Sequence, residues 1–147
     1  MRFIPTRIHG ILDYTVGALL VAMPWLFEFA RGQSETWVPV FLGAGAILYS
    51  LVTNYELGLV RRLPMSTHLS LDLASGVVLA TSPWVFGFAG YVWVPHLVFG
   101  LFEIGAALMT KTTPSFADGP SGRNSESVLR PAGVYPDALK KEKRYEA

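Results

Sequence analysis

The sequence predicts an all-α protein: a polytopic membrane protein whose four transmembrane helices form two parallel two-helix repeats with pseudo-two-fold symmetry. Three observations predict this class. Of the 147 residues, 51% are hydrophobic and 16% are charged, whereas about 25% are charged in an average soluble domain. Four long apolar stretches follow one another along the chain. The first two of these stretches recur as the last two.

The four apolar stretches cover residues 10–29, 38–53, 69–88 and 93–109. A helix of about 20 residues crosses a hydrocarbon layer about 30 Å thick. The second stretch is short, but it can extend to Tyr55. A soluble four-helix bundle is the alternative, and it requires a polar face on each helix. Because residues 38–53 have no such face, we predict four membrane spans.

An internal repeat relates the two halves of the chain. A shift of 59 positions superimposes chemically distinctive residues: Pro5 on Pro64, His9 on His68, Asp13 on Asp72, Gly17 on Gly76, and Pro24-Trp25 on Pro83-Trp84. The loop that follows is three residues shorter in the second copy. Beyond it, Trp37-Val38-Pro39 matches Trp93-Val94-Pro95. Each copy contains two spans, so both copies start on the same side of the membrane. They are therefore parallel repeats.

The positive charges predict the orientation in the membrane. One side receives Arg31 alone, and the other receives Arg2, Arg7, Arg61, Arg62 and Lys111. Because Lys and Arg concentrate in cytoplasmic loops, both termini and the middle loop are predicted to be cytoplasmic. We expect a prokaryotic cytoplasmic (inner) membrane.

Composition also divides the chain into two parts. Residues 1–110 are predicted to form the transmembrane domain, with repeat one at 5–60 and repeat two at 64–110. Residues 111–147 hold 12 of the 23 charged residues and are rich in Ser, Gly and Pro, so we predict a polar, mostly irregular cytoplasmic tail. The net charge of +1 offers no basic face for nucleic acid, and the lack of cysteine excludes thiol chemistry.

Two short segments resemble the signature of a known family. Residues 23–27 read Met-Pro-Trp-Leu-Phe, and residues 82–88 read Ser-Pro-Trp-Val-Phe-Gly-Phe. They resemble the SPW-repeat family of prokaryotic membrane proteins, over about residues 5–110 and in both copies, with Met23 where the family has Ser. The resemblance implies two membrane helices and one Ser-Pro-Trp motif in each repeat. It implies no activity, cofactor or substrate, so it supplies no catalytic residue.

The Pro-Trp pairs are predicted to lie at the outer ends of the first and third helices. There the indoles of Trp25 and Trp84 can anchor in the headgroup region. Pro24 and Pro83 each free a carbonyl one turn earlier and bend the helix. The alternative is a ligand site between the two indoles.

His9 and Asp13, like His68 and Asp72, are spaced i to i+4, which places each pair on one helix face. Carboxylates near a helix amino terminus are favoured, and histidine can hydrogen-bond them. We predict a repeated interfacial lock across the pseudo-two-fold axis. The predicted N-caps are Thr6 in the first copy and Ser66 or Thr67 in the second.

Two alternatives remain for these pairs. The symmetry places His9 and His68 at one depth, as axial ligands of a haem require, with Asp13 and Asp72 as supporting partners, so haem or metal ligation is the first alternative. The same four residues can instead line a proton or ion path. The simplest prediction assigns no cofactor and no metal.

Glu103 lies about ten positions into the fourth predicted helix, near the bilayer midplane. An ionised group there costs at least about 2.5 kcal/mol, so Glu103 should face protein and be protonated or paired. We predict a hydrogen bond to Ser50, Tyr49 or a backbone carbonyl. His96 lies seven residues earlier on the same face, about 10 Å along the axis. A shared water or ion between His96 and Glu103 is the alternative.

The predicted function is that of a non-catalytic structural or accessory subunit of a membrane protein assembly. Its expected partners are the lipid bilayer and a larger membrane complex or further copies of the chain. A small proton- or ion-conducting transporter or channel that uses Glu103 and the His-Asp pairs is the first alternative, and a haem-binding bundle is the second. Nothing pairs a nucleophile with a base, so no enzyme is predicted.

Overall fold

A computed structural model describes residues 2–114 of the chain. Over this range the protein has four α-helices and no strands: α1 at Thr6–Leu26, α2 at Ser34–Val52, α3 at Met65–Val85 and α4 at Val94–Met109. α1 packs mainly on α2, and α3 mainly on α4, so each repeat is a helical hairpin. The all-α prediction is confirmed. The predicted tail at 111–147 lies outside the described residues, apart from positions 111–114.

Proline residues determine where α1 and α3 begin. Pro5 and Pro64 are the N-caps, with φ of −64° and −60°, and the helices start at the next residue. The predicted N-caps Thr6, Ser66 and Thr67 are wrong, because neither N-cap position has a side chain that can accept a hydrogen bond. Thr6 is instead the first residue of α1, and its hydroxyl donates to the Glu56 carboxylate at 2.7 and 2.9 Å.

The carboxyl-terminal ends of α1 and α3 are built alike. Just beyond each helix one residue adopts the left-handed conformation, Glu28 with φ 56° and Gly87 with φ 74°. Glycine adopts this conformation freely, whereas a glutamate in it costs about 1–2 kcal/mol. The chain then closes with equivalent backbone hydrogen bonds: Ala30 N–H to the Pro24 carbonyl at 3.0 Å, and Ala89 N–H to the Pro83 carbonyl at 2.8 Å.

In each hairpin, a glycine on one helix faces a glycine on the other, and the two helices approach closely at this point. A Cβ atom on Gly43 would lie 2.5 Å from the Gly17 carbonyl oxygen of α1. A Cβ atom on Gly100 would lie 2.6 Å from the Gly76 carbonyl oxygen of α3. Both distances are too short for a real side chain. Small residues at such crossings are typical of membrane helix pairs.

Backbone segments cross between the two repeats in a reciprocal way. The residues before each first helix (3–4 and 62–63) bind those that end the other repeat's second helix (109–111 and 52–54). We call these the exchange contacts. They are Phe3 N–H to Met109 O at 2.8 Å, Arg62 N–H to Val52 O at 2.8 Å, Lys111 N–H to Ile4 O at 3.0 Å and Asn54 N–H to Leu63 O at 2.8 Å. They occur in equivalent pairs, as pseudo-two-fold symmetry requires.

The membrane character of the helices is uneven. By length and hydropathy, α1 and α2 are able to cross a membrane. α4 is apolar but has 16 residues, and α3 has 21 residues but carries Ser, Thr, His and Asp side chains. The core between the repeats includes Leu20 and the equivalent Leu79, both fully buried, with Met23 and Phe29.

Candidate functional site

The two His-Asp pairs meet in one buried cluster between α1 and α3. The Nε2 atom of His9 lies 2.9 Å from Asp72 Oδ2 and 3.2 Å from Asp13 Oδ1. The Nε2 atom of His68 lies 3.0 Å from Asp13 Oδ2 and 3.2 Å from Asp72 Oδ2. None of the four side chains is more than 8% exposed. We call these four residues the His-Asp cluster; its shortest contacts run between the repeats.

Two threonines at the ends of α2 and α4 orient the imidazole rings. Thr53 Oγ1 lies 2.8 Å from His68 Nδ1, and Thr110 Oγ1 lies 2.9 Å from His9 Nδ1. Each threonine hydroxyl donates its one hydrogen to a carbonyl a turn earlier, at 2.7 and 2.6 Å. Each therefore accepts a hydrogen bond from the Nδ1–H group. Each histidine is thus held by the other repeat, with Nε2 facing the carboxylates.

This orientation has an electrostatic consequence. When Nδ1 of a neutral imidazole carries the hydrogen, Nε2 is an acceptor, and so are ionised carboxylates. The facing lone pairs repel one another unless a proton or another cation lies between them. His9 Nε2 is aligned with Asp72 for such a hydrogen bond. His68 Nε2 is not aligned with either carboxylate despite its short distances, and it is a buried atom without a hydrogen-bond partner.

The surroundings of the cluster are not symmetric. The Tyr49 hydroxyl donates to Asp72 Oδ1, and the Ser50 hydroxyl donates to Asp13 Oδ2 at 3.2 Å. Because Thr53 and Thr110 play equivalent roles, each residue of α2 corresponds to the residue of α4 that lies 57 positions later in the sequence. At that shift Ala106 and Ala107 occupy the places of Tyr49 and Ser50. Of these two helices, α2 therefore supports the carboxylates with hydroxyl groups and α4 does not.

Glu103 lies beside the cluster rather than in it. Its carboxylate accepts a hydrogen bond from Ser75 Oγ at 3.2 Å. The predicted partners Ser50 and Tyr49 are wrong, because their hydroxyls are directed to the aspartates. A cavity of about 20 Å³ is lined by Glu103, Tyr49, Asp72 and their neighbours. One water needs at least about 10–15 Å³, so this cavity can hold one.

His96 belongs to another part of the bundle. Its Nε2–H donates to the backbone carbonyl of Glu35 at 3.1 Å. Its ring lies between those of Phe29 and Phe88, with centroids 5.3 and 4.9 Å away. The cavity at Glu103 does not include His96, so the structure gives no support to the alternative of a shared water or ion between these two residues.

The Ser-Pro-Trp segment has a clear local chemistry. Pro83 has no N–H for the carbonyl four residues earlier, which is that of Leu79. Ser82 Oγ is fully buried and donates to this same carbonyl at 2.7 Å. The serine therefore replaces the hydrogen bond that the proline removes. Met23 stands at the equivalent position before Pro24 and packs in the core instead.

The tryptophans of the two motifs are about half exposed, 56% for Trp25 and 55% for Trp84. The Trp84 ring packs against Trp93, with 6.2 Å between centroids. No ring contact joins Trp25 to Trp84 within residues 2–114. Both indoles are therefore partly exposed, and the described residues give no support to a ligand site between them.

Sequence reasoning missed the residues that orient the cluster. A shift of 56, taken from Trp37 and Trp93, places Thr53 opposite Met109 instead of Thr110. Alignment of the last helix with a shift of 57 in place of 56 would have placed Thr53 opposite Thr110. Tyr55 was also missed: it is fully buried, and its ring lies 5.7 Å from that of His68. Burial raises the pKa of the Tyr55 phenol well above its ordinary value, so the group stays neutral.

Haem does not fit the cluster. Two axial histidines must face each other across a porphyrin, whereas the His9 and His68 rings meet edge to face with centroids 5.4 Å apart. The carboxylates of Asp13 and Asp72 occupy the space between the two Nε2 atoms. The adjacent cavity of about 20 Å³ is far too small for a porphyrin.

Two helical hairpins in tandem, with a polar cluster at their interface and apolar outer surfaces, define a small repeat-built α-helical protein with membrane character. The family model described as the SPW repeat domain matches residues 7–110. The chain belongs to this family, as the Pro-Trp segments predicted. Searches of curated proteins and of solved structures found no significant match.

Proposed function

We propose that this chain is an integral membrane protein of four spans that acts as a non-catalytic structural or accessory subunit of a membrane assembly. One observation carries the proposal. The buried polar groups of the cluster connect the two repeats to each other, whereas large apolar side chains cover the outside of every helix. Examples are Ile11 on α1, Phe41 on α2, Val85 on α3 and Val98 on α4.

The burial pattern of α3 supports a membrane span despite its polar composition. His68, Asp72 and Ser82 are all buried inside the bundle. Most exposed positions of the same helix are apolar, among them Val77 and Val78. The exposed Ser70 and Thr81 hydroxyls bond to carbonyls of their own helix. α4 is about 24 Å long at 1.5 Å per residue, slightly less than a typical hydrocarbon layer. Local thinning of the bilayer accommodates such a short helix.

The exchange contacts support the proposed orientation. They hold residues 3–4, 52–54, 62–63 and 109–111 at one end of the bundle. Arg2, Arg61 and Arg62 lie in or beside these segments, whereas Arg31 lies in the loop between α1 and α2. The positive-inside rule then assigns the arginine-rich end, with the amino terminus and the end of α4, to the cytoplasm.

Two outward-facing glycines support the binding of a further helix. A Cβ atom on Gly45 or Gly105 would meet nothing within 4 Å, so packing inside the described bundle explains neither residue. Each costs about 0.8–1 kcal/mol relative to alanine in a helix. A bare backbone at the surface permits close approach of a partner helix, as small residues do in membrane interfaces.

Cross-linking mass spectrometry of the full chain, extracted in a mild detergent or in nanodiscs, tests this proposal. We expect the wild-type protein to cross-link to a partner protein or to a second copy through α2 or α4. The variants Gly45→Leu and Gly105→Leu should lose that link and keep their helix content. Leu48→Ile and Leu108→Ile, exposed on the same helices, serve as matched controls. A wild-type protein that is monomeric and without a partner in nanodiscs contradicts the proposal.

A proton or ion path is the second candidate, and the cavity beside Glu103 favours it. One water there would lie between Glu103 and the carboxylate of Asp72, both of which line the cavity. Carboxylates inside membrane helices are frequent parts of ion routes. Proton flux into liposomes that contain the purified protein tests the idea. Flux that is absent, or unchanged in Glu103→Gln, rules it out.

A further inference from the structure

The His-Asp cluster has the chemistry of a metal centre. We propose that it binds one divalent first-row transition-metal ion, with Nε2 of His9 and of His68 and one carboxylate oxygen from each of Asp13 and Asp72 as ligands. Such a centre goes beyond a structural role, because an ion of this class would be held by ligands from both repeats at their interface.

The geometry of the cluster is that of a site around one ion. One potential ligand atom from each of the four residues lies within 4.8 Å of the other three. Asp72 Oδ2 lies 2.9 Å from His9 Nε2 and 3.2 Å from His68 Nε2. Asp13 faces the two rings with different oxygens, Oδ1 at 3.2 Å from His9 Nε2 and Oδ2 at 3.0 Å from His68 Nε2. Ligands about 2.0–2.1 Å from an ion are about 2.9–3.4 Å from their neighbours at angles between 90° and 109°. The distances around Asp72 Oδ2 match this range, and an ion at the centre would require Asp13 to offer one of its two oxygens as the fourth ligand.

The charges of the cluster also suit a divalent ion. The threonines hold the hydrogen on Nδ1 of each ring, so both Nε2 lone pairs are free for a metal. With neutral imidazoles, Asp13 and Asp72 give the cluster a charge of −2. A buried uncompensated charge is costly, and one divalent ion neutralises it. Two nitrogen and two oxygen ligands suit zinc, cobalt, nickel or copper, whereas calcium and magnesium prefer oxygen alone.

The residues around the cluster are arranged as supporting partners of metal ligands usually are. Each ring donates its Nδ1–H to an oxygen, that of Thr53 or Thr110. Tyr49 and Ser50 donate to the carboxylates. Such partners fix ligand orientation. His68 supplies an independent observation: its Nε2 atom is fully buried, points into the cluster and has no hydrogen-bond partner.

Titration of the full-length, chelator-treated protein in detergent with Co²⁺ alone tests the proposal. We expect saturable visible d–d absorption at one equivalent per chain, and loss of the bands when Zn²⁺ is added. Copper(II) bound at the same site should show two imidazole nitrogens by electron paramagnetic resonance. Absence of saturable binding overturns the proposal and leaves protons as the cations of the cluster. A copper signal without nitrogen ligands also overturns it.

Variants locate the site. His68→Gln and Asp13→Asn should abolish the cobalt bands, whereas His96→Gln should retain them, because His96 is buried but bonded elsewhere. Thr53→Val keeps all four ligands and should weaken cobalt binding by about 10- to 100-fold. If a ligand variant fails to fold, the Thr53→Val titration and the copper spectrum of the wild type still test the metal site. Unchanged affinity in a folded Thr53→Val protein, or bands lost in a folded His96→Gln protein, contradicts the assignment.

Discussion

The two repeats agree in their first helices and differ in their second ones. α1 and α3 contribute identical pairs to the cluster, and α2 and α4 each end in a threonine that holds a histidine of the other repeat. The hydroxyls of Tyr49 and Ser50 on α2 face the cluster, whereas α4 has Ala106 and Ala107 at these places. Contacts that cross between the copies have thus stayed alike, while the surroundings of the cluster have diverged.

The helix crossings within each repeat should give the largest effects when they are broken. Gly43→Leu and Gly100→Leu place a side chain against a facing carbonyl, so each should lower the free energy of unfolding by about 3 kcal/mol. Chemical unfolding in detergent measures this. Gly45→Leu is the control, because its side chain meets nothing in the described bundle. Equal stability of Gly43→Leu and Gly45→Leu would show that the close approach does not exist.

The threonine contacts test the equivalence of the two copies directly. Thr53→Val and Thr110→Val each leave a buried Nδ1–H without an acceptor, so each should cost about 1–3 kcal/mol, to a similar extent. Thr81→Val is the matched control: Thr81 is exposed and makes the same bond to a carbonyl one turn earlier, at 2.8 Å. Strongly unequal losses in the same unfolding assay would contradict the symmetry of the cluster.

The hydroxyl groups of α2 should couple unequally to the two aspartates. Tyr49→Phe removes the hydrogen bond to Asp72 and should cost about 1.5 kcal/mol, because bonds to charged groups are the stronger ones. A double-mutant cycle with Asp72→Asn should recover most of this energy as coupling. The corresponding cycle with Asp13→Asn should show little coupling. Equal coupling to both aspartates would mean that Tyr49 acts on the whole cluster.

The proline-linked serine should have the smallest effect. Ser82→Ala leaves the Leu79 carbonyl without its donor and should cost about 1 kcal/mol. Ser70 makes a similar bond to the carbonyl one turn earlier but is exposed, so Ser70→Ala should change stability by less than about 0.5 kcal/mol. Thermal unfolding of both variants compares them. A Ser82→Ala protein as stable as Ser70→Ala would mean that water satisfies the carbonyl.

The order of the helices and the residues of the cluster could be predicted from the sequence, because Pro, His and Asp recur in one register. The predicted starts of α1 and α3 were wrong by about four residues. Thr, Arg and His interrupt the apolar pattern there, although each helix begins directly after a proline. The family was predicted correctly from the repeated Pro-Trp segments, and the all-α fold was predicted correctly from the apolar stretches and their repetition.

Contacts between helices could not be predicted in the same way. The i to i+4 spacing pairs His9 with Asp13, but the shorter contact of His9 is to Asp72, across the interface. That pairing depends on how closely α1 approaches α3, which no local pattern specifies. The partner of Glu103 was wrong for a related reason: the hydroxyls of Tyr49 and Ser50 were already engaged by the aspartates.

The exchange contacts make the covalent connection between the repeats dispensable in principle. Each repeat completes the backbone hydrogen bonds and the histidine contacts of the other, so neither closes on itself. A chain cut between Tyr55 and Arg61 would still present the complementary surfaces of both repeats, and the two fragments should reassemble when they are produced together. By the same reasoning, two identical single-repeat chains would form a symmetric dimer. The present protein then has the architecture of such a dimer fused into one polypeptide.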